Sequence, residues 1–467
     1  MRKSNRRQFL GGLLAAGAAS GLTGCAGFPS ILSTKSPNSK LCHACVGTHG
    51  MAMADLKSLI THPKLEIVAL CDVDLRFAAE AKKLVPQARI YQDWRELLEA
   101  EGDRIDSLNV STPDHTHTII AANAMRRGKH VYCQKPLCKK IDECRLLRRI
   151  AEEEGVVTQL GTQFAASAGD RQTVQLLRDG VIGPVSRVYL YSTRNGASRG
   201  KRSFKKACAV PSSLDWNGWI GPAPMRDYAP GYHPILWRHW LDFGSGWIGD
   251  LCIHVISAPW IGMNLGDLAP ISVSAIVDPE AMKDPVYRQC WPRYSHITWD
   301  FPGVPASGGR PFKMDWISGV QEDPTTLPDF LPIPEYEALF PKTPLKTRSF
   351  EGRVIEGEHG WILAPHTGTP YALLRNGQVV KPAAPAAEPS HYHEFVDRCF
   401  DGKAARSSFA WTTHMMESVI MGGVCEQLPG RKFFWDAKNS RFNSPDATEL
   451  LWSNYREGWK LKGLMHA

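Results

Sequence analysis

The chain has 467 residues, of which 43% are hydrophobic and 22% charged, and its formal net charge is +8. This composition excludes a disordered or collagen-like chain, and the length predicts two or three domains of about 100–200 residues each. Beyond the first residues the positive charges form no basic tract, which argues against nucleic-acid binding, and no apolar run is long enough to span a bilayer.

The N-terminal segment has the order of an export signal. Residues 1–25 are first basic, then apolar, and end at Cys25. Arg6-Arg7 resembles the twin-arginine motif of proteins exported already folded, and Leu22 to Cys25 resembles a lipobox. We therefore predict a periplasmic protein held at the membrane only by a lipid on Cys25, with residues 26–39 as a tether. The alternative is a basic, alanine-rich tail on a cytoplasmic protein.

Twelve cysteines raise the question of disulfides in an exported chain. Cys42 and Cys45 have redox-motif spacing, but they lie in a predicted strand, whereas a reactive thiolate is stabilised at the start of a helix. A chain that folds before export needs no disulfides. We predict that the cysteines are small buried apolar side chains.

A strand, a glycine turn, a helix and a second strand follow from residue 41. The strands are predicted at 41–46 and 65–71, and the helix between them has Leu56, Leu59 and Ile60 on one face. This order is typical of dinucleotide binding, because amides at a helix N-terminus bind pyrophosphate and an acid about 20 residues further on binds a ribose. Asp72 is that acid, and its charge favours NAD over NADP.

The glycine turn departs from the usual fingerprint, because His49 occupies the position of its second glycine. A side chain there is expected to crowd the pyrophosphate, so the turn must hold its ligand slightly differently. The predicted cofactor contacts in this region are Gly47, Thr48, His49, Gly50, Met51 and Asp72.

Polar residues follow two further predicted strands, at 105–110 and 130–133. The carboxyl ends of parallel strands form the edge at which such sheets bind ligands. The further cofactor contacts predicted at this edge are Ser111, Thr112, Pro113, Gln134 and Lys135.

The rest of the chain is predicted to form a substrate domain. A strand at 155–160 ends beside Gln163, β-rich runs at 271–277, 295–301, 312–317 and 360–363 predict an open sheet, and helices are predicted at 412–427 and 447–459. Six of the 15 tryptophans lie between residues 215 and 260. Aromatic faces match the C–H patches of a pyranose and Arg or His donors match its hydroxyls. Most of these tryptophans are expected to be packing residues; the predicted substrate contacts are Gln163, Tyr232, His233, Trp237 and Arg238.

Together these segments resemble the Gfo/Idh/MocA oxidoreductases. The resemblance rests on Gly47 to Ala52, on residues 111–117 and 134–136, and on an Asp250-x-x-x-His254 motif, in that order, and it extends from about residue 40 to the end. It implies an α/β fold, with an N-terminal Rossmann domain (40–160) built on a doubly wound parallel sheet. A C-terminal α/β domain with an open, mostly antiparallel sheet would follow (161–467), and the family implies dimers or tetramers built through that sheet.

The family oxidises or reduces a hydroxyl of a sugar or cyclitol with NAD or NADP. The family's usual Glu-Lys-Pro is Gln134-Lys135-Pro136 here, so any pairing made by the glutamate is in doubt. The resemblance also places His115 and His117 near the nicotinamide ribose and the substrate. A zinc site at these two histidines is disfavoured because no further ligands lie at suitable spacing, and no metal is predicted.

Three residues fit the chemistry of alcohol oxidation. His254 suits the general base and Asp250 a hydroxyl-binding partner, and their spacing places both on one face of a helix. Lys135 would stabilise the developing alkoxide.

The leading prediction is an NAD(P)-dependent oxidoreductase acting on a secondary alcohol of a sugar or cyclitol. Because free NAD is scarce outside the cytoplasm, we expect the cofactor to be loaded before export and tightly bound. The first alternative is an NAD-dependent enzyme that cleaves glycosides through transient oxidation of the sugar. A second is a non-catalytic, sugar-binding lipoprotein.

Overall fold

The computed structural model describes residues 39–192, 206–278, 283, 287–319 and 351–465. The predicted export signal, including Cys25, and residues 26–38 of the predicted tether lie outside the described residues. Among the described residues, we find no helix with the length and apolar character needed to cross a membrane.

The first domain is a parallel sheet of six strands with helices between them. Its strands are β1 (Leu41–Val46), β2 (Leu65–Cys71), β3 (Arg89–Tyr91), β4 (Ser107–Val110), β5 (His130–Gln134) and β6 (Thr158–Gly161). Its helices are α1 (Met51–Leu59), α2 (Leu75–Lys82), α3 (Trp94–Glu101), α4 (His117–Met125) and α5 (Ile141–Glu154). The strand order is β3-β2-β1-β4-β5-β6, which confirms the predicted doubly wound sheet. The order reverses between β1 and β4, where sheets of this kind form their ligand crevice.

Both faces of this sheet are covered. In β1, Ala44 and Val46 belong to one hydrophobic cluster, and Leu41 and Cys45 belong to another on the opposite face. Parallel sheets require such cover because their connections place helices on both sides. Five of its six residues are therefore apolar, with a buried His43 as the exception, and this apolar pattern allowed the strand to be predicted.

The second domain is built on a mixed sheet of ten strands. Its strands are β7 (Val185–Ser192), β8 (Ser272–Val277), β9 (Ser295–Phe301), β10 (Phe312–Ser318), β11 (Glu351–Gly357), β12 (Gly360–Pro365), β13 (Tyr371–Leu374), β14 (Val379–Val380), β15 (Lys432–Asp436) and β16 (Arg441–Phe442). Its helices are α6 (Ala168–Arg178), α7 (Trp216–Ile220), α8 (Ile253–Gly262), α9 (His391–Asp401), α10 (Phe409–Gln427) and α11 (Pro445–Glu449). The order is β14-β13-β12-β11-β7-β10-β9-β8-β15-β16; only the pair β7 and β10 is parallel. This confirms the mostly antiparallel sheet.

Helix α9 leaves the second domain and packs on the first. Phe395 and Val396 share a hydrophobic cluster with Leu56 and Leu59 of α1. The chain therefore returns to the nucleotide-binding domain more than 200 residues after leaving it, and it brings Tyr392 with it.

One predicted helix is wrong. The pattern at 447–459 predicted a helix throughout, but helix α11 ends at Glu449. Beyond it, the backbone N–H and the hydroxyl of Ser453 both donate to the buried carboxylate of Asp142, at 3.1 and 2.5 Å. These tertiary hydrogen bonds hold the chain in a non-helical path that local periodicity does not reveal.

The described cysteines agree with the prediction of thiols. All eleven are free, and nine of them are buried. Cys208 is exposed and Cys42 is partly buried, so these two depart from the predicted burial.

Candidate active site

A cavity of about 490 Å³ lies at the carboxyl ends of β1, β2, β4 and β5, between the two domains. The first domain contributes the glycine turn, the end of β2 and the loops after β4 and β5. The contribution of the second domain consists of Gly218, Trp219, His233, Pro234, Ile235, Trp237, Arg238 and Asp250. Among the predicted site residues, those that line the cavity are Gly47, Thr48, His49, Gly50, Met51, Asp72, Ser111, Thr112, Pro113, Gln134, Lys135, His233, Trp237, Arg238 and Asp250.

The glycine turn fits a dinucleotide. Gly47 has a φ of 87°, and a Cβ there would lie 2.5 Å from the carbonyl oxygen of Ser111. Gly50 caps α1 with a φ of 64°; no side chain bonds to the amides at this helix start, and the first turn holds no acidic residue. A helix N-terminus with neither a capping side chain nor an acidic residue favours an anion such as pyrophosphate.

His49 lies at the edge of the cavity. Its exposed imidazole stacks on Phe77 of α2, with ring centroids 3.9 Å apart and an interplanar angle of 11°. Phe77 in turn contacts His233 of the second domain at 5.4 Å, and Nε2 of His233 lies 3.3 Å from Oδ2 of Asp74. The departure from the glycine fingerprint is thus accompanied by an aromatic contact between the turn, α2 and the second domain.

Asp72 connects the glycine turn to the end of β2. Its Oδ2 accepts hydrogen bonds from the backbone N–H and the hydroxyl of Thr48, at 2.9 and 2.8 Å, and its Oδ1 accepts from the N–H of Asp74 at 3.0 Å. Burial raises the pKa of this carboxyl group, and these hydrogen bonds oppose the rise. The carboxylate has further lone pairs and lines the cavity where it could accept from ribose hydroxyls.

Lys135 and Asp250 meet across the two domains. Nζ of Lys135 donates to Oδ1 of Asp250 and to its backbone carbonyl oxygen, both at 2.6 Å. Nε of Arg238 lies 3.7 Å from the same Oδ1. The side chains of Lys135 and Asp250 are 13% and 18% exposed, so this ion pair is largely removed from solvent but still open to the cavity.

Asp250 and His254 are not arranged as a regular α-helix would place them. Ile248–Cys252 is a π-helical turn, and α8 begins only at Ile253. Asp250 lines the cavity, whereas His254 is buried behind it, against Phe164 and His366 at ring distances of 5.3 and 5.6 Å. Asp250 therefore lies in a π turn where a regular α-helix was predicted, and of the two side chains Asp250 is the one at the cavity wall.

The environment of His254 keeps its imidazole neutral. Burial lowers its pKa well below 6.5, and the positive charge of Lys135 lowers it further. Nδ1 is buried and has no hydrogen-bond partner among the described residues. A neutral imidazole beside the Lys135–Asp250 pair can accept a proton.

Four other predicted residues do not line the cavity. Both ring nitrogens of His115 face backbone carbonyls of Phe243 and Trp219, and those of His117 face the carbonyls of Pro136 and Thr112. The structure thus gives them loop-holding contacts in place of the predicted cofactor contact.

The other two of these four residues are predicted substrate contacts, and they do not line the cavity either. Gln163 donates to the hydroxyls of Tyr132 and Tyr392, at 3.4 and 3.2 Å. Tyr232 packs in an aromatic cluster with Trp240 and Phe243. Neither side chain reaches the cavity wall.

Several residues at the site were missed from the sequence. Asp55 is fully buried behind Gln134, Tyr392 donates to it from α9, and Phe77 and Trp219 line the cavity. The helical spacing that placed Leu56 and Leu59 on the buried face of α1 also places Asp55 there, so a charged residue on that face was a usable signal. Tyr392 had no such signal, because only the tertiary fold brings α9 to α1.

Histidine, cysteine and acidic side chains of the described part of the chain form no group of three or more suited to hold a metal ion.

Comparison with known proteins supports an oxidoreductase architecture. Residues 42–162 match the family model described as "Oxidoreductase family, NAD-binding Rossmann fold", and residues 187–296 match "Oxidoreductase family, C-terminal alpha/beta domain". The chain is 24% identical over 195 residues to levoglucosan dehydrogenase of Pseudarthrobacter phenanthrenivorans, an alignment covering 42% of this chain and 41% of that relative. The similarity thus spans less than half the length of that curated relative.

Solved structures are similar over most of the chain. A levoglucosan dehydrogenase in complex with NADH and levoglucosan superposes with a TM-score of 0.55 at 15% identity, covering 83% of this chain and 95% of that one. The aldose-aldose oxidoreductase of Caulobacter crescentus superposes with a TM-score of 0.57 at 15% identity, covering 85% and 99%. At this level of identity the likeness concerns the fold.

Proposed function

Since the chain belongs to the Gfo/Idh/MocA oxidoreductase family, we propose that it is an NAD-dependent enzyme that interconverts a secondary alcohol and a ketone on a sugar or cyclitol. The observation that carries this proposal is the Lys135–Asp250 contact of 2.6 Å at a cavity whose other wall is a dinucleotide-type glycine turn. In this proposal the pair supplies a positive charge and a hydroxyl acceptor beside the nicotinamide. A bound NAD supplies the hydride acceptor.

The residues of this chain handle the substrate oxygen. Asp250 accepts a hydrogen bond from the substrate hydroxyl and orients it. The ammonium of Lys135 interacts more strongly with the oxygen as negative charge develops, so it stabilises the transition state more than the ground state. His254, held neutral by burial and by the charge of Lys135, takes up the hydroxyl proton directly or through one water.

The sugar is recognised by the second domain. Trp237 is buried at the cavity wall, and the guanidinium of Arg238 stacks on it at 4.2 Å while approaching Asp250. An indole face with an adjacent guanidinium offers an apolar surface for C–H groups and donors for hydroxyls. We assign Trp237, Arg238 and His233 to substrate binding.

The cofactor is NAD in this proposal, and it is tightly held. The carboxylate of Asp72 would repel a 2′-phosphate. The second domain also crosses the adenosine side of the cleft, because the N–H of Asp215 donates to the carbonyl of Val73 at 2.8 Å and the N–H of Leu75 donates to that of Ser213 at 3.0 Å. These two hydrogen bonds, close to Asp72, support the proposal that the dinucleotide is tightly held.

Tight retention agrees with the proposed cellular location. We propose that the twin-arginine signal exports the folded, cofactor-loaded protein and that Cys25 anchors it to a periplasmic membrane face. Assembly into a homodimer or homotetramer through the ten-stranded sheet is part of the same proposal.

The test is a panel of sugars and cyclitols added to the protein as purified, with nicotinamide absorbance and product release followed together. A rise in absorbance with formation of a keto sugar supports the proposal. Release of an aglycone without net absorbance change supports glycoside cleavage instead. A protein that neither contains nor binds a nicotinamide nucleotide overturns the proposal and leaves a sugar-binding lipoprotein.

A further inference from the structure

Asp55 is a buried carboxylate next to the proposed catalytic lysine. It lies on the inner face of α1 and is fully buried. Nε2 of Gln134 donates to both of its oxygens, at 2.9 and 3.0 Å, and the hydroxyls of Ser111 and Tyr392 each donate to it at 2.7 Å. Elements from both ends of the chain thus converge on one carboxylate.

The surrounding hydrogen bonds fix the direction of these donations. Asn109 donates to the hydroxyl of Ser111 at 2.7 Å, and Gln163 donates to the hydroxyl of Tyr392 at 3.2 Å. Each hydroxyl accepts from behind and donates forward to Asp55. Every neighbour therefore presents a hydrogen to Asp55, which is the arrangement that an ionised carboxylate accepts. Burial raises the pKa of Asp55, whereas these donors and the positive charge of Lys135 oppose the rise.

Gln134 transmits this arrangement to Lys135. Because its amide nitrogen must face Asp55, its Oε1 faces the other way, where it accepts from the backbone N–H of Lys135 at 3.2 Å. Gly161 leaves the space that this side chain occupies, since a Cβ on Gly161 would lie 2.9 Å from its Cδ. The backbone of Lys135 is thus held by an amide whose orientation Asp55 decides.

We infer that Asp55 is a positioning residue that aligns Lys135 for alcohol oxidation through the Gln134 amide. The inference rests on the proposed function of Lys135. Where the family usually has a glutamate, this chain has Gln134, and Asp55 provides a carboxylate in contact with that glutamine. Asp55 itself does not line the cavity and does not contact Asp250. It acts by fixing the orientation of the Gln134 amide.

The decisive experiment exchanges the acid and the amide. In Asp55→Asn, an amide nitrogen replaces one of the two acceptor oxygens. That nitrogen then faces one of the hydrogen-bond donors that surround residue 55. If the side-chain amide of Gln134 rotates so that its oxygen accepts from this nitrogen, its own NH2 group then points at the backbone N–H of Lys135. The two donors cannot form a hydrogen bond, and the contact to Lys135 is lost. In the double variant Asp55→Asn/Gln134→Glu, the carboxylate at 134 accepts from the amide at 55 and from the backbone N–H of Lys135. The contact to the Lys135 backbone is thus restored, while the hydroxyl of Ser111 or Tyr392 that faces the new amide nitrogen loses its acceptor. Gln134→Glu alone places two carboxylates in contact and should be impaired.

We expect Asp55→Asn to lower kcat by about tenfold or more, with KM for sugar and Kd for NAD changed by less than about threefold, and the double variant to recover most of the loss. Glu143→Gln is the matched control. Glu143 is also buried and accepts from three donors (the backbone N–H groups of Lys139 and Lys140 and the Tyr455 hydroxyl), but it does not line the cavity. It should lower stability without this kcat change.

Crystal structures of the cofactor-free proteins give a readout independent of turnover. In Asp55→Asn the Lys135 Nζ should leave Asp250, and in the double variant it should return. A Lys135–Asp250 contact unchanged in Asp55→Asn, or a kcat equal to wild type, would overturn the inference. If the wild-type protein oxidises no sugar while the crystal structures behave as expected, the proposed function fails and the positioning role stands.

Discussion

The ammonium of Lys135, at the end of a strand in the first domain, lies 2.6 Å from Oδ1 of Asp250, in a π-helical turn of the second. Neither residue has this partner unless both domains are folded and docked. The proposed catalytic centre therefore forms only when both domains are present. It lies between the carboxyl ends of the strands of the first domain and the tryptophan side chains of the second domain that line the cavity.

Replacement of Lys135 by Met should abolish most of the turnover. The loss of the charge that stabilises the developing alkoxide is expected to lower kcat by about 10²- to 10³-fold, while NAD still binds because the glycine turn and Asp72 are untouched. Steady-state kinetics and NAD titration measure the two effects separately. Lys83→Met, at an exposed lysine that pairs with Glu80, serves as the control. A Lys135→Met enzyme with near wild-type kcat would remove Lys135 from the mechanism.

The pH profile should reflect the environment of His254. Its pKa in the folded protein lies well below 6.5 because of burial and the nearby Lys135 charge. The base is active when neutral, so kcat should stay constant as pH falls from about 8 through 6.5 and should decline only at lower pH. An acidic limb centred near 6.5 would contradict the assignment of the base to His254 in this buried environment. His254→Gln should lower kcat strongly at every pH in this range.

The carboxylate of Asp72 should decide the choice between the two nucleotides. Wild-type protein is expected to bind NAD in preference to NADP, and Asp72→Asn should shift the ratio of the two dissociation constants toward NADP by about tenfold. The asparagine retains one oxygen that can accept from Thr48, while the N–H of Asp74 loses its carboxylate acceptor; any general effect on the turn acts on both nucleotides, so the ratio of the two dissociation constants is the quantity compared. Asp93→Asn, which neutralises a helix-capping carboxylate in the same domain, controls for the loss of one negative charge. Extraction of NADP from the purified wild-type protein would contradict the assignment.

Arg238 should contribute to sugar affinity more than to the chemical step. Its guanidinium stacks on Trp237 and approaches Asp250, so Arg238→Ala removes charged donors from the cavity wall. A charge-assisted hydrogen bond contributes about 1.5–3 kcal/mol, so KM for the sugar should rise by about tenfold or more. Initial-rate measurements over a range of sugar concentrations test this. Unchanged KM for every oxidised sugar would exclude Arg238 from the substrate site.

The sequence was sufficient for features that arise from local pattern. Apolar runs gave β1, β2 and β9 their observed bounds, and polar residues after β4 and β5 placed Ser111 and Lys135 at the ligand edge. These predictions are correct because the features determine residue types locally. A strand buried on both faces is apolar along its length, and its end at the ligand edge is polar.

Other features depend on contacts that no local pattern contains. Asp250 lies in a π turn where a regular α-helix was predicted, and Ser453 donates to Asp142 where the predicted helix has already ended. Tyr392 reaches Asp55 across 337 positions of chain. None of these features follows from local sequence preference, so only the folded chain reveals them.

The most direct test of the whole account is a crystal structure of the protein with NAD and a sugar that it oxidises. The account predicts that one sugar hydroxyl oxygen lies about 3 Å from both Lys135 Nζ and a carboxylate oxygen of Asp250, with its carbon about 3.5 Å from the hydride-accepting carbon of nicotinamide. His254 should reach that hydroxyl directly or through one ordered water. A sugar bound away from Lys135, or a nicotinamide ring on the far side of the cleft from Asp250, would contradict it.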